Sequence, residues 1–330
     1  MIRHLYLCIA FLGASFFANI CFSTEQPLAV RNMMPVSQIF GLPRPMGADF
    51  SEQYNEALIR FEITNNFSGA SNDAGFVFLD GETYWLGLSG RFFVGEDKRY
   101  ELGAEIPYIV HGPGHLDGFV EGFHDFFGFP DGKRKMVPKN QLEYRIALDG
   151  KDYLNFNTRK SHIGDSSVWF GYQVFSEALS ALALRAMIKF PTGNLSDLSG
   201  SGAPDLSIWA EYENLKLFQD WSVKVTAGGG VVFLGKSDIF RLQQNSVVGV
   251  FHVGIQRPLG RHVTFIAQLD GHTRLIQAPF VQIGGSTLQG TLGGRVRLAK
   301  RYWVDFGVVE NLASNSAPDF TVQVAIGTRF

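Results

Sequence analysis

Three features of the sequence predict an all-β fold, a transmembrane antiparallel β-barrel of the bacterial outer membrane. Runs of about ten residues alternate apolar with polar or small side chains along most of the chain, a period of two that puts one strand face in hydrocarbon and the other in a polar interior. The connections between these runs alternate between short and long. Outside the N-terminus no apolar stretch approaches the ~18 residues of a membrane-spanning helix, yet only 18% of the 330 residues are charged and 30 are Phe. A bilayer protein without membrane helices has to close its sheet, because an open edge leaves backbone groups unpaired in lipid. Ten residues at ~3.3 Å rise, tilted by ~40°, span roughly 25 Å, the height of the apolar band of such barrels.

Residues 1–23 read as a cleaved signal peptide. Arg3 and His4 precede an apolar core too short to span a bilayer, and small residues lead to a cut after Ser23. Cleavage removes Cys8 and Cys21, the only cysteines, and with them any disulfide, thiol nucleophile or thiolate metal site. The net charge of −2 supplies no basic field for nucleic acid. Residues 24–48 form an N-terminal segment that holds Met33, Met34, Pro35, Ile39, Phe40 and Leu42. It is too apolar for a free tail, and is expected either as a plug in the periplasmic end of the lumen or packed beneath the barrel. Residues 49–330 form the barrel.

The strand series opens with residues 58–67. It continues through Tyr84-Leu86-Leu88, Tyr100-Leu102-Ala104-Ile106-Tyr108, Val168-Phe170-Tyr172-Val174 and Leu182-Leu184-Ala186-Ile188, then Leu206-Ile208-Ala210-Tyr212 and Val223-Val225-Ala227. Phe251-Val253-Ile255, Val263-Phe265-Ala267-Leu269, Leu288-Gly290-Leu292, Tyr302-Val304-Phe306-Val308 and Phe320-Val322-Val324-Ile326 complete it. A soluble sandwich also alternates, but runs this long exceed its usual ~5–6 residues. Tyr84, Tyr100, Tyr108, Trp221 and Tyr302 fall at the ends of apolar faces, as interfacial girdles do. Short periplasmic turns and long outer loops explain the rhythm of the connections, with residues 68–79 among the long loops. Twelve strands are expected, or fourteen if the hairpin around Asp149-Gly150 joins the wall rather than standing above the membrane. Residues 178–190 have the propensity of a helix, but their alternation favours a strand.

Strand parity turns a set of charges inward, because a charge on the lipid face costs ~2–4 kcal/mol at the midplane. The cations are Arg60, Arg91, Arg145, Arg185, Lys189, Lys224, Arg295, Arg297 and Arg329; the anions are Glu62, Glu101, Glu105, Glu143, Glu211, Glu213, Asp270 and Asp305. Such a balanced set suits either a mixed polar conduit or a salt-bridged interior that satisfies itself. Trp85, Trp169, Trp209 and Trp303 also fall inward, as a stacking track for aromatic solute or as filling. Gln268, Asp270 and His272 share one strand face; no serine in a nucleophile context accompanies them, and a hydrogen-bonded network is the better reading. In the long loop, Leu116, Phe119, Val120, Phe123, Phe126 and Phe127 form an apolar arc opposite Asp117, Glu121, His124 and Asp125, an amphipathic helix ended by Gly128 and Pro130. It either folds into the mouth as a constriction or lays its Phe face on the outer leaflet. No metal site or cofactor is expected.

The stretches LDGETYWLGL (79–88), GPGHLDGFVEGFHDFFGFPDGKR (112–134), IGDSSVWFGYQVF (163–175), IKFPTGNLSDLSGSGAPDLSIW (188–209) and QLDGHTRL (268–275) resemble a family of proteobacterial outer-membrane proteins catalogued only as domain of unknown function 3187. IGD, PTG and APDF more loosely resemble the barrels linked to aromatic-compound uptake. The resemblance implies a barrel and a channel role, and no catalytic residues. The terminal Phe330, with Ile326, Val324 and Val322 at alternate positions, is similar to the signal read by barrel-assembly machinery; Thr328 departs from that pattern. The expected partners are outer-membrane lipid, that machinery and an unidentified small solute. The expected function is a porin-like channel for small, apolar or aromatic solutes. A surface module whose loops bind a partner and a lipid-modifying barrel enzyme are the alternatives.

Overall fold

The computed structural model of the protein describes residues 26–50, 54–128, 134–241, 243–312 and 316–330. The expected signal peptide lies outside them. Three strands come first: β1 (Glu56–Asn72), β2 (Gly75–Val94) and β3 (Tyr100–Gly112). After helix α1 (Asp117–Phe127) come three short strands, β4 (Glu143–Leu148), β5 (Lys151–Phe156) and β6 (Lys160–Ile163). Nine long strands follow: β7 (Ser167–Glu177), β8 (Ser180–Lys189), β9 (Asp205–Phe218), β10 (Val223–Leu234), β11 (Val247–Pro258), β12 (Val263–His272), β13 (Thr287–Arg297), β14 (Tyr302–Asn311) and β15 (Phe320–Arg329).

The ring closes where β1 meets β15, from Glu56 opposite Arg329 to Asn65 opposite Phe320. Because β2 also pairs with β3 and β3 with β7, twelve antiparallel strands form the closed wall. Among the described residues the ring has no free strand edge, the condition for a sheet in lipid. The β4–β5 hairpin pairs only with the outward extension of β2, residues 143–148 against 75–80. It stands outside the ring, turning on Asp149 (φ 49°) and Gly150 (φ 75°), the left-handed pair that a two-residue hairpin turn needs. Arg145 and Glu143 therefore leave the lumen set: they pair with each other at 3.3 Å on the hairpin. Residues 68–79 are not a long loop either, since β1 and β2 run on as a hairpin through Asp73 and Ala74.

Alternation sets the two faces. In β8, Ala181, Ala183, Arg185, Met187 and Lys189 are buried inward while Leu184 and Ile188 face out, so this segment is a strand and not a helix. The short turns and the start of β1 define a turn end of the barrel; the long connections define a loop end. At the loop end Leu198, Phe240, Leu275, Phe280 and Ile283 from the connections join Val77, Leu79, Tyr144 and Ile146 in one apolar cluster. Met34, Ile39, Phe40 and Leu42 complete that cluster from the N-terminal segment.

Candidate functional site

The lumen holds residues 26–50 as an ascending and descending limb. Gln26 lies against Arg91 near the turn end. The chain passes Gln268, which bonds both backbone groups of Leu28, and reaches the loop end at Asn32, whose amide meets His272 Nε2 at 2.9 Å and the Ser316 carbonyl at 2.7 Å. It reverses beneath the apolar cluster and descends. Lys189 donates to the Ile39 carbonyl at 3.0 Å, and Asp205 accepts from Gly41 N–H at 2.8 Å. Lower down, Glu211 accepts from Met46 N–H and Glu213 from Ala48 N–H, while Gln173 accepts from Phe50 N–H at 2.6 Å and donates to the Ala48 carbonyl at 2.8 Å. Phe50 then meets Phe93 edge-on beside the turn end. The segment spans the height of the lumen rather than sitting at one end, because its backbone polar groups have partners on strand after strand.

The inward charges read from parity are gathered into local groups. Glu101 bonds Arg91 at 2.9 Å and Arg185 at 2.8 Å, both through Oε2, and accepts from the Trp169 indole. Glu62 pairs with Arg44 at 2.7 Å, and Glu105 with Arg60 at 2.8 Å. Asp305 takes a forked pair from Arg295, Nε at 2.6 Å and Nη2 at 2.8 Å, the bidentate geometry that suits guanidinium to carboxylate. Lys189 lies 2.6 Å from Asp165 and 3.1 Å from Asp205. Lys224 pairs with Glu213 at 3.2 Å, and His252 lies 2.9 Å from Glu211. Arg297 is half-buried near the turn end. Asp270 accepts from Gln268, and His272 is engaged by Asn32 and the Thr273 carbonyl. That arrangement is a hydrogen-bonded network.

All four inward tryptophans are buried. Trp169 and Trp209 pack with Met187 and Met46, and Trp85 packs with Met33 and Ile109. Trp169 lies across Gly103 and Trp303 across Gly327, their register partners, so closely that a methyl group at either glycine would overlap the ring. Two cavities flank the segment, one larger than the other. Arg31, Leu42, Arg44, Pro45 and Trp209 border both. Arg31 and Arg44 lie in the segment and not on a strand, so strand parity had no means of counting them as lumen charges.

Helix α1 does not enter the lumen as a constriction. Its buried side is Asp117, Val120 and His124, the i, i+3, i+7 stripe, and it packs on the outside of the wall. Phe119 and Phe123 lie edge-on to Phe320 at 5.6 and 5.2 Å, and Phe320 belongs to the outward face of β15. His124 Nε2 is 3.9 Å from Glu310. The acids are tied down rather than free to meet a solute: Asp117 pairs with Arg134, Glu121 with Lys139, and Asp125 with Lys135 at 2.6 Å. Glu82 accepts from the backbone of His115 and Leu116 ahead of the helix. Phe119 (57%) and Phe126 (81%) are left exposed, and Phe127 closes the helix before Gly128 in a left-handed cap. Phe330 is exposed at the turn end, its N–H bonded to the Asn55 carbonyl and its ring edge-on to Phe92.

A closed twelve-strand wall, apolar outside and polar inside, with short turns at one end and long connections at the other, is the architecture of an outer-membrane barrel protein. The chain belongs to the family described as "Protein of unknown function (DUF3187)", which matches residues 5–330. No curated protein matches the sequence. Among solved structures, the chain is similar to the COG4313 outer membrane channel from Pseudomonas putida F1 at 12% identity and a TM-score of 0.58, over 86% of this chain and 99% of that one. It also resembles the Ralstonia pickettii toluene transporter TbuX (12% identity, TM-score 0.41, covering 91% and 98%) and the KdgM porin (9%, 0.44, 83% and 99%).

Proposed function

We propose that the protein is an outer-membrane channel for small, apolar or aromatic solutes, exported with a cleaved signal peptide and gated by the N-terminal segment. The observation that carries this reading is the seating of residues 26–50. The segment leads into the start of β1, and it meets the wall through separate side-chain bonds to its backbone. Each such bond contributes only about 1 kcal/mol net and none belongs to a strand ladder. Release of the segment therefore has to overcome chiefly the packing of Met34, Ile39, Phe40 and Leu42 in the loop-end cluster and the Arg44–Glu62 pair, and it leaves the ladder of the wall intact. The inner face is polar and charge-paired without the segment's help at Glu101 and Asp305. A lumen vacated by the segment would thus keep a hydrated lining, and the buried tryptophans would offer apolar surface to a passing ring.

Liposome swelling tests the reading. Proteoliposomes carrying the full chain should admit neutral single-ring solutes slowly, and those carrying a chain that lacks residues 24–47 should admit them fast. Equal, protein-free rates for both would contradict it.

The exposed Phe119 and Phe126 on α1 favour a second reading, in which the loop is a surface element that contacts lipid or a partner and the barrel anchors it.

A further inference from the structure

Three guanidinium groups surround the face of one tryptophan. Arg44 lies 4.6 Å from the centroid of Trp85, Arg31 at 5.8 Å and Arg60 at 5.9 Å. Two carboxylates serve the three: Glu62 is taken by Arg44 and Glu105 by Arg60. Among the described residues no carboxylate closes an ion pair on Arg31, and its Nε is buried without a hydrogen-bond partner. Glu62 and Glu105 act on it only at longer range, against the repulsion of Arg44 and Arg60. A guanidinium presents five donors in a planar fork, and one withdrawn from water without an anion is costly. Arg31 borders the larger cavity, whose other walls include Trp169, Trp209, Trp303, Met46 and Met187. One side of that cavity therefore offers an uncompensated, fork-shaped cation and the other an aromatic and thioether surface.

We propose that this cavity binds a small amphiphilic acid, its carboxylate on Arg31 and its ring or chain against Trp169, Trp209 and Trp303. The proposal rests on the channel reading for how the acid arrives and leaves. It narrows the solute class from apolar or aromatic molecules in general to those with one anionic group. The acid completes a three-to-three match of charges around Trp85. Because Arg31 belongs to the movable segment and the tryptophans to the wall, a bound acid also bridges the two, so it should hold the segment in place rather than release it.

Calorimetric titration of the folded full chain in detergent, with benzoate and its neutral counterpart benzamide as probes, tests this. Benzoate should bind saturably and more weakly as ionic strength rises, and benzamide should bind less tightly with no salt dependence. Arg31→Gln should weaken benzoate about tenfold or more, since a charge-assisted bond is lost, and change benzamide far less. Arg31→Lys, which keeps charge but loses the fork, should fall between. Equal binding of the two probes to the unaltered protein overturns the site without need of a variant, as does an unchanged benzoate affinity in a folded Arg31→Gln protein. Swelling of proteoliposomes with neutral solutes reads the channel separately. Benzoate binding without permeation removes the channel and leaves the site, whereas permeation with no preference for benzoate does the reverse.

Discussion

The side-chain amide of Gln268 grips the backbone of Leu28 at both ends, accepting from its N–H at 3.1 Å and donating to its carbonyl at 2.9 Å. Gln173 repeats the device on the descending limb, with Phe50 N–H and the Ala48 carbonyl. A primary amide has the donor and acceptor needed to stand in for a neighbouring strand. These two glutamines thus give the segment a pairing partner without making it part of the sheet.

Truncating either clamp should shift the segment toward release. Gln268→Ala leaves the Leu28 N–H unsatisfied in a buried site, while its carbonyl keeps the Val30 N–H, a loss of about 1–3 kcal/mol, or about fivefold to 150-fold in the seated-to-released ratio. Single-channel open probability should rise in Gln268→Ala and again in the double variant with Gln173→Ala. A double variant as quiet as the unaltered protein would show that the amides do not hold the segment.

Glu101 is the counter-charge for both Arg91 and Arg185. Glu101→Gln keeps the shape but leaves buried Arg185 without a carboxylate and Arg91 with only Glu56 at 3.5 Å, which should cost about 3–5 kcal/mol of barrel stability. The midpoint of urea unfolding, followed by tryptophan emission, should fall accordingly. A midpoint within error of the original would mean that water replaces the carboxylate.

Asp319, in the connection before β15, is raised to about 7 by burial, opposed by Arg134 and reinforced by Asp80. A carboxyl raised on docking binds its proton better in the docked state. Its contribution is therefore fully present below about pH 4, falls as pH rises from there, and is lost above about pH 7. Hydrogen exchange of the α1 amides, corrected for intrinsic rate, should accelerate across that window. Asp319→Asn should flatten the dependence; persistence of the same profile would assign the titration to another group.

Replacing residues 113–140 by a short turn tests whether the loop takes any part in conduction. The loop lies on the outer wall, so the ring should still close and conductance should stay within about twofold, because the pairs within the lumen are untouched. A large change in conductance would place the loop on the solute path.

The wall was legible in the sequence because lipid outside and charge inside impose a period of two that little else imitates. Leu184 and Ile188 against Arg185 and Lys189 show it within one strand. The outward extensions of β1 and β2 were not legible: Gly69, Ala70, Ser71 and Asn72 no longer face lipid, so their pattern reads as loop. Nor was the side on which α1 docks, where ion pairing of Asp117 with Arg134 overrides the sorting of phenylalanines from acids. Composition marked the N-terminal segment as buried, but its path depends on partners such as Asp205 and Gln268, more than a hundred residues away in sequence and invisible to any local period.

The central claim is that residues 26–50 close an otherwise conducting lumen, and single-channel recording in planar bilayers tests it most directly. The full chain should be silent or open in brief events, and the chain lacking residues 24–47 should open to a sustained, larger conductance. Identical traces from the two, with both barrels folded, would contradict the account.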